Sequence, residues 1–240
     1  MARHQRRGVW WKTARGLFYP AMWLSGRRMF FGREHMPTDG PALLVANHIS
    51  YVDPLFTAVF VDSTGRLPHF LAKDSVFRLP VIGKLARELE QIPVYRGSAE
   101  AVDSLSAAGK ALEDGHVVVI YPEGTITRDP KFWPMRARTG AARLALDHDV
   151  PIIPVAHWGT QLLYDHYHGK KFRPLPRKRI VVSAGGPVDL SAYRGKDRSG
   201  ELLRQVTERL MGSVRDVLAD VRGEPAPDEF YHHQQQKDRG

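Results

Sequence analysis

The chain has no cysteine among its 240 residues. Disulfide scaffolds, thiolate zinc sites and cysteine nucleophiles are excluded at once. The absence fits a reducing compartment. No run of about 18 apolar residues occurs, so a spanning helix is not expected. The best candidate, 8–23, is broken by Lys12, Arg15 and Pro20 and lacks the apolar core and small-residue cleavage site of a secretory signal. The chain reads as neither exported nor transmembrane. No G-x-S-x-G turn occurs, so a serine hydrolase has no nucleophile where one belongs.

Acidic residues are scarce at one end. Residues 1–34 hold eight Arg and Lys against Glu34 alone, which is +7 of the net +9. A basic end on a nearly neutral body is a local anchor for anionic lipid or nucleic acid. Trp10, Trp11, Phe18, Tyr19, Trp23, Phe30 and Phe31 are interleaved with that charge. Aromatics among Arg and Lys suit a helix lying in a lipid interface, and they also suit a helix packed on its own domain. No RRM, OB or helix-turn-helix signature follows, so nucleic acid is not the expected partner. The segment 1–34 is therefore expected to associate with a bilayer.

What remains is an ordinary core: 42% hydrophobic and 25% charged residues. Short apolar runs at 42–46, 69–72, 91–95, 117–121, 152–156 and 180–184 read as strands covered on both faces. Helical patterns at 54–61, 80–88, 99–114 and 138–147 lie between them, and a core stripe marks a last helix at 200–221. The fold class expected is α/β, a mostly parallel sheet flanked by helices, with the N-terminal amphipathic helical segment attached. Residues 35–222 form the expected main domain. Residues 223–240 lack an apolar pattern and read as a flexible tail.

The strand at 42–46 runs into Asn47, His48 and, five residues after His48, Asp53 followed by Pro54. Ligands of open parallel sheets gather at the carboxyl ends of strands. Asp53 reads as a helix N-cap with Pro54 at the first helical position. A turn could fold Asp53 back onto the imidazole, fixing its tautomer and raising its basicity. Taken alone, the pair also fits a cap beside a loop histidine.

Four motifs in order carry more. Asn47 to Asp53 resembles the first motif, N-H-x-x-x-x-D, of the glycerolipid acyltransferases typified by 1-acylglycerol-3-phosphate acyltransferases. Ile92-Pro93-Val94-Tyr95-Arg96-Gly97 resembles their second motif, Tyr121-Pro122-Glu123-Gly124-Thr125 their third, and Val150-Pro151-Ile152-Ile153-Pro154-Val155 their fourth. The family has Arg directly after Glu-Gly-Thr, whereas here Ile126 and Thr127 precede Arg128.

The resemblance implies transfer of a fatty acyl group from acyl-CoA or acyl carrier protein to lysophosphatidic acid, giving phosphatidic acid. His48 and Asp53 are the implied catalytic dyad. Lys73, Arg96, Glu123, Gly124, Thr125 and Arg128 are the implied substrate-binding residues; His157 and Trp158, which follow the fourth motif, are assigned no role. No metal or redox cofactor is expected. The expected partners are the bilayer and its anionic phospholipids, and the expected place is the cytoplasmic face of the cell membrane, peripheral or monotopic. Another lysophospholipid or a glycolipid hydroxyl is the alternative acceptor. A non-catalytic basic module for membrane or nucleic acid is the remaining alternative.

Overall fold

Ala42–Ala46 is apolar at every position, and all five residues are buried. A strand buried on both faces belongs inside a sheet covered on both sides. This strand is β2. The computed structural model describes residues 8–95, 101–167 and 172–232. Its other strands are β1 (Gly26–Phe31), β3 (Pro68–Lys73), β4 (Ile92–Val94), β5 (Val117–Ile120), β6 (Ile152–Trp158) and β7 (Lys178–Ala184). They form one sheet in the order β1-β7-β6-β2-β5-β3-β4. Every neighbouring pair is parallel except β6 with β7. The sheet is thus mixed and mostly parallel, as expected.

Alternation along β2 divides the core. Leu43 and Val45 face one layer, where Ala108, Leu112, Leu144, Val206 and Leu210 pack. Those residues come from α4 (Ala101–Glu113), α5 (Gly140–Asp147) and α6 (Gly200–Arg222). Ala42, Leu44 and Ala46 face the other, with Phe56 and Phe60 of α2 (Asp53–Ser63). α3 (Pro80–Glu88) lies between β3 and β4 in the chain.

The N-terminal segment holds the expected helix and, in addition, a strand that its sequence did not show. Its aromatics divide between α1 (Val9–Ser25) and β1, an edge strand parallel to β7. Arg27 and Arg28 hide that strand from hydropathy, and an edge tolerates such charge. α1 is packed on the domain: Trp11, Ala14 and Met22 are buried. Asp62 of α2 accepts from Trp11 Nε1 at 3.2 Å and from the Tyr19 hydroxyl at 2.5 Å, with Arg15 at 3.5 Å. No helix among the described residues is long and apolar enough to cross a membrane.

The expected tail is also partly ordered. Arg215 donates to the carbonyls of Pro227 at 2.8 Å and Asp228 at 2.9 Å, and its guanidinium lies 4.9 Å from the Phe230 ring centre. Arg136 donates its backbone N–H to Tyr231 at 3.0 Å. These are mostly backbone and cation contacts, which leave no hydrophobic period to read. Residues 233–240 lie outside the described residues.

Asp62→Ala should strand the Trp11 and Tyr19 donors and loosen α1. We expect a loss of about 1–3 kcal/mol in chemical denaturation, with faster tryptic cleavage after Lys12 and Arg15. Unchanged stability and unchanged cleavage would contradict the anchoring of α1 by Asp62.

Candidate active site

The carboxyl ends of β2, β5 and β3 reach the same edge of the sheet, because the three run parallel. The chain leaves β2 through Asn47, which is buried. Asn47 Nδ2 donates to the His157 carbonyl at 3.2 Å, and Asn47 Oδ1 accepts the His157 N–H at 2.7 Å. This pair ties the exit of β2 to β6 and sets where His48 emerges. The His48 backbone is then held by the loop after β5. Its N–H donates to Glu123 Oε1 at 2.9 Å, and its carbonyl accepts the Thr127 N–H at 2.7 Å.

His48 Nδ1 lies 2.9 Å from Asp53 Oδ2. The same oxygen accepts the N–H groups of Ile49 at 2.7 Å and Ser50 at 2.8 Å. One carboxylate oxygen therefore closes the turn and grips the imidazole. Asp53 is the first residue of α2 and Val52 holds the cap position, so the expected N-cap is corrected. The carboxylate points back into the turn instead of capping the helix. Burial pushes Asp53 up, but the His48 hydrogen bond and the neighbouring imidazoles outweigh it, leaving Asp53 below the usual carboxylate range. An ionised Asp53 only accepts, so Nδ1 carries the hydrogen and Nε2 the electron pair.

A polar network supports the dyad from behind. The Tyr121 ring stacks on His48 at 4.5 Å. Tyr121 and Thr57 hydroxyls meet at 2.9 Å, and Thr57 Oγ1 also lies 2.7 Å from His157 Nε2. Burial keeps Tyr121 protonated and His157 neutral. His157 is fully buried in this network. Thr57 and the Tyr121 hydroxyl escape sequence reading because their partners lie 64 and 100 residues away.

Beside the dyad lies a cavity of about 250 Å³, lined by Lys73, Tyr121, Gly124, Arg138 and Arg143 among others. Gly124 has φ +69°, and a Cβ there would come within 3.3 Å of Arg138 Nε. Arg138 donates its backbone N–H to the Pro122 carbonyl at 2.9 Å. So the arginine against the Glu-Gly-Thr turn is Arg138. Sequence reading assigned it to a helix start and missed both it and Arg143.

Arg128 is exposed and does not line this cavity, and neither does Thr125. The two extra residues explain the displacement: Ile126 is buried, and Thr127 is tied to His48 and, through its hydroxyl, to the Trp133 carbonyl at 2.8 Å. Lys73, exposed at the end of β3, lines the cavity. Arg96 lies outside the described residues. Neither His48 nor Asp53 lines this cavity, which meets the dyad through the Tyr121 ring; a larger hollow of about 490 Å³ lies under residues 228–232 and has no such link.

Glu123 is buried, and both its oxygens accept backbone N–H groups, from His48 at 2.9 Å and Met135 at 3.0 Å. It therefore sits inside the loop as a clasp. Burial pushes its carboxyl up to about 8, against the pull of those donors. The unfolded chain loses this proton near 4.5, before the folded chain does. Stability should thus fall as pH rises from about 4.5 to about 8. Glu123→Gln cannot titrate and should lack that fall in denaturation series across the window. Identical slopes for both proteins would refute the buried, proton-holding carboxyl.

Known proteins resemble this chain in sequence and fold. The sequence model of the Acyltransferase family matches residues 27–158, from β1 to the end of β6. A 1-acyl-sn-glycerol-3-phosphate acyltransferase of Bacillus subtilis (strain 168) is 24% identical over 193 residues, spanning 78% of this chain and 88% of that one. The chloroplastic 1-acyl-sn-glycerol-3-phosphate acyltransferase BAT2 of Brassica napus is 31% identical over 131 residues, 54% of this chain. That match spans only 36% of the plant protein. A lyso-ornithine lipid O-acyltransferase of Rhizobium meliloti (strain 1021) is 28% identical over 217 residues, 78% of this chain and 71% of that one. The crystal structure of the 1-acyl-sn-glycerophosphate (LPA) acyltransferase PlsC from Thermotoga maritima shares the fold. Its TM-score is 0.67 at 24% identity, over 90% of this chain and 81% of that one. With a family match over more than half its length, spanning the strands that lead into His48 and Glu123, the chain belongs to the acyltransferase family.

Proposed function

We propose that the chain transfers a fatty acyl group from an acyl thioester, on coenzyme A or acyl carrier protein, to the free hydroxyl of lysophosphatidic acid. The product is phosphatidic acid. The observation that carries this reading is the 2.9 Å bond from His48 Nδ1 to Asp53, at a strand end beside a cavity lined by Lys73, Arg138 and Arg143. His48 Nε2 takes the hydroxyl proton as the oxygen attacks the thioester carbonyl. Asp53 stabilises the imidazolium that forms. The new C–O bond forms and the C–S bond breaks. A thiolate is a fairly stable leaving group, and it takes the proton back from His48. No atom changes oxidation state, so the proposal needs no cofactor beyond the thioester substrate.

Lys73, Arg138 and Arg143 hold the acceptor phosphate, since guanidinium and ammonium groups form strong charge-assisted bonds to it. The name of the Rhizobium meliloti relative raises a second acceptor, a lyso-ornithine lipid. Three cations around one cavity favour the phosphate-bearing acceptor.

His48→Ala and Asp53→Asn should each cut kcat by roughly 10²–10⁴-fold while the chain stays folded. Arg138→Ala should raise KM for lysophosphatidic acid roughly tenfold or more and leave KM for the thioester nearly unchanged. Arg128→Ala should do less. Steady-state rates with each acceptor check all four. Full turnover in His48→Ala, or an equal loss toward donor and acceptor in Arg138→Ala, would sink the corresponding role.

A bilayer is the proposed partner, reached from its cytoplasmic face by a peripheral or monotopic attachment. Val9, Leu17, Trp23 and Leu24 are 75%, 54%, 56% and 58% exposed. They lie on the side of α1 away from Trp11, Ala14 and Met22. Lys12, Arg27 and Arg28 add charge nearby, each worth about 1 kcal/mol at an anionic surface. Removing residues 1–34 would also remove β1, so surface substitutions are the cleaner test. Leu17→Glu with Leu24→Glu should keep stability and lose co-sedimentation with anionic vesicles. Undiminished pelleting would assign docking to another surface.

A further inference from the structure

A second cluster of chemically capable side chains lies on the opposite edge of the sheet. His69 is the second residue of β3, Glu90 lies two residues before β4, and His116 immediately precedes β5. Strands β5, β3 and β4 are consecutive in the sheet. Their parallel direction brings these three positions together at the amino ends, whereas His48, Lys73 and Glu123 follow carboxyl ends. A ring nitrogen of each histidine and a carboxylate oxygen of Glu90 lie within 4.8 Å of one another. The two imidazoles stack with centroids 4.4 Å apart.

The surroundings prepare these groups as ligands. His69 Nδ1 lies 3.0 Å from the Glu90 carbonyl. A carbonyl only accepts, so Nδ1 carries the hydrogen and Nε2 the electron pair. Metal-binding histidines are commonly oriented by such a bond. The loop bearing Glu90 is pinned to β3. Gln91 Oε1 accepts the Phe70 N–H at 2.8 Å, and Gln91 Nε2 donates to the Leu89 carbonyl at 2.6 Å and the Pro68 carbonyl at 3.3 Å.

Glu90 itself has φ +52°, a left-handed conformation that is uncommon outside glycine and costs energy. A strained non-glycine residue here places a carboxylate beside two imidazoles. Glu90 and Asp114 face His116 with negative charge, against the Arg66 guanidinium. Arg66 is itself tied to the carbonyls of Pro37, Gly40 and Gly115.

We propose that His69, Glu90 and His116 bind one zinc ion, which clamps the amino ends of β3, β4 and β5. Two neutral imidazoles and a carboxylate are a recognised zinc donor set, with ligand distances of about 2.0–2.2 Å. Tetrahedral geometry at those distances holds ligand atoms roughly 3.4 Å apart, so the three groups close by at most about 1.4 Å. The exposed Glu90 side chain can supply most of that movement. A water completes the coordination on the solvent side. The ion lies away from the dyad and stabilises the strands without entering acyl transfer.

The test uses the full chain, stripped with a chelator and titrated with zinc alone, followed by calorimetric binding and thermal unfolding. We expect one zinc per chain and a rise in Tm of roughly 5–10 °C at zinc concentrations near a hundredfold Kd. His116→Ala and Glu90→Gln should lose at least tenfold in affinity and most of the shift. Glu90→Gly relieves the φ +52° strain. It should keep zinc-free stability while losing the zinc response, which covers the case in which His116→Ala does not fold. His48→Ala, and a double replacement of His232 and His233, should bind as the unaltered chain does. Absence of stoichiometric binding overturns the site. So does an undiminished shift in both Glu90 variants, or loss of binding when only His232 and His233 are replaced.

Discussion

One oxygen of Asp53 holds the site together. It accepts the Ile49 and Ser50 N–H groups and faces His48 Nδ1, so the turn and the dyad form in the same step. Neither bond set stands alone. Without the turn, Asp53 and His48 would be five residues apart with no reason to meet. Without the carboxylate, the turn leaves two buried N–H groups unpaired, at a cost of about 1–3 kcal/mol each. The dyad is thus coupled to folding of the strand-to-helix connection.

The parallel sheet gives this constraint its reach. β2 delivers His48, and β5 delivers the loop whose Glu123 and Thr127 grip the His48 backbone from both sides. β3 ends in Lys73, Arg138 lies just before α5, and Arg143 lies in its first turn. Cations and the His48 imidazole therefore gather on one edge because several strands end there. The other edge gathers His69, Glu90 and His116 for the same topological reason.

Legibility followed how local each determinant is. β2 is read at its full extent because all five of its residues are apolar and buried. The helix at Pro80–Glu88 is read from its leading proline and its period. β1 was hidden because Arg27 and Arg28 occupy an edge strand with solvent on one side. Residues 224–232 were hidden because they are held by Arg215 and by backbone bonds.

In the site, the ordered motifs pointed to His48 and Asp53, which lie 2.9 Å apart, whereas the arginine against the Glu-Gly-Thr turn is Arg138 and not the Arg128 of the sequence reading. Ile126 and Thr127 enter the core and the His48 clasp, carrying Arg128 outward. Arg138 arrives through the path of the chain, which no spacing encodes. The same holds for Glu123, whose carboxyl turns inward to backbone donors.

The central claim is that His48 acts on a hydroxyl brought by the acceptor, with no covalent intermediate on the chain. The most direct measurement is rapid-mixing thiol release from acyl-CoA, with and without lysophosphatidic acid, alongside intact-protein mass. Direct transfer predicts no thiol burst and an unmodified mass until the acceptor is added, then one phosphatidic acid per thiol released. A burst stoichiometric with the protein in the absence of acceptor, together with an acylated chain, would contradict it.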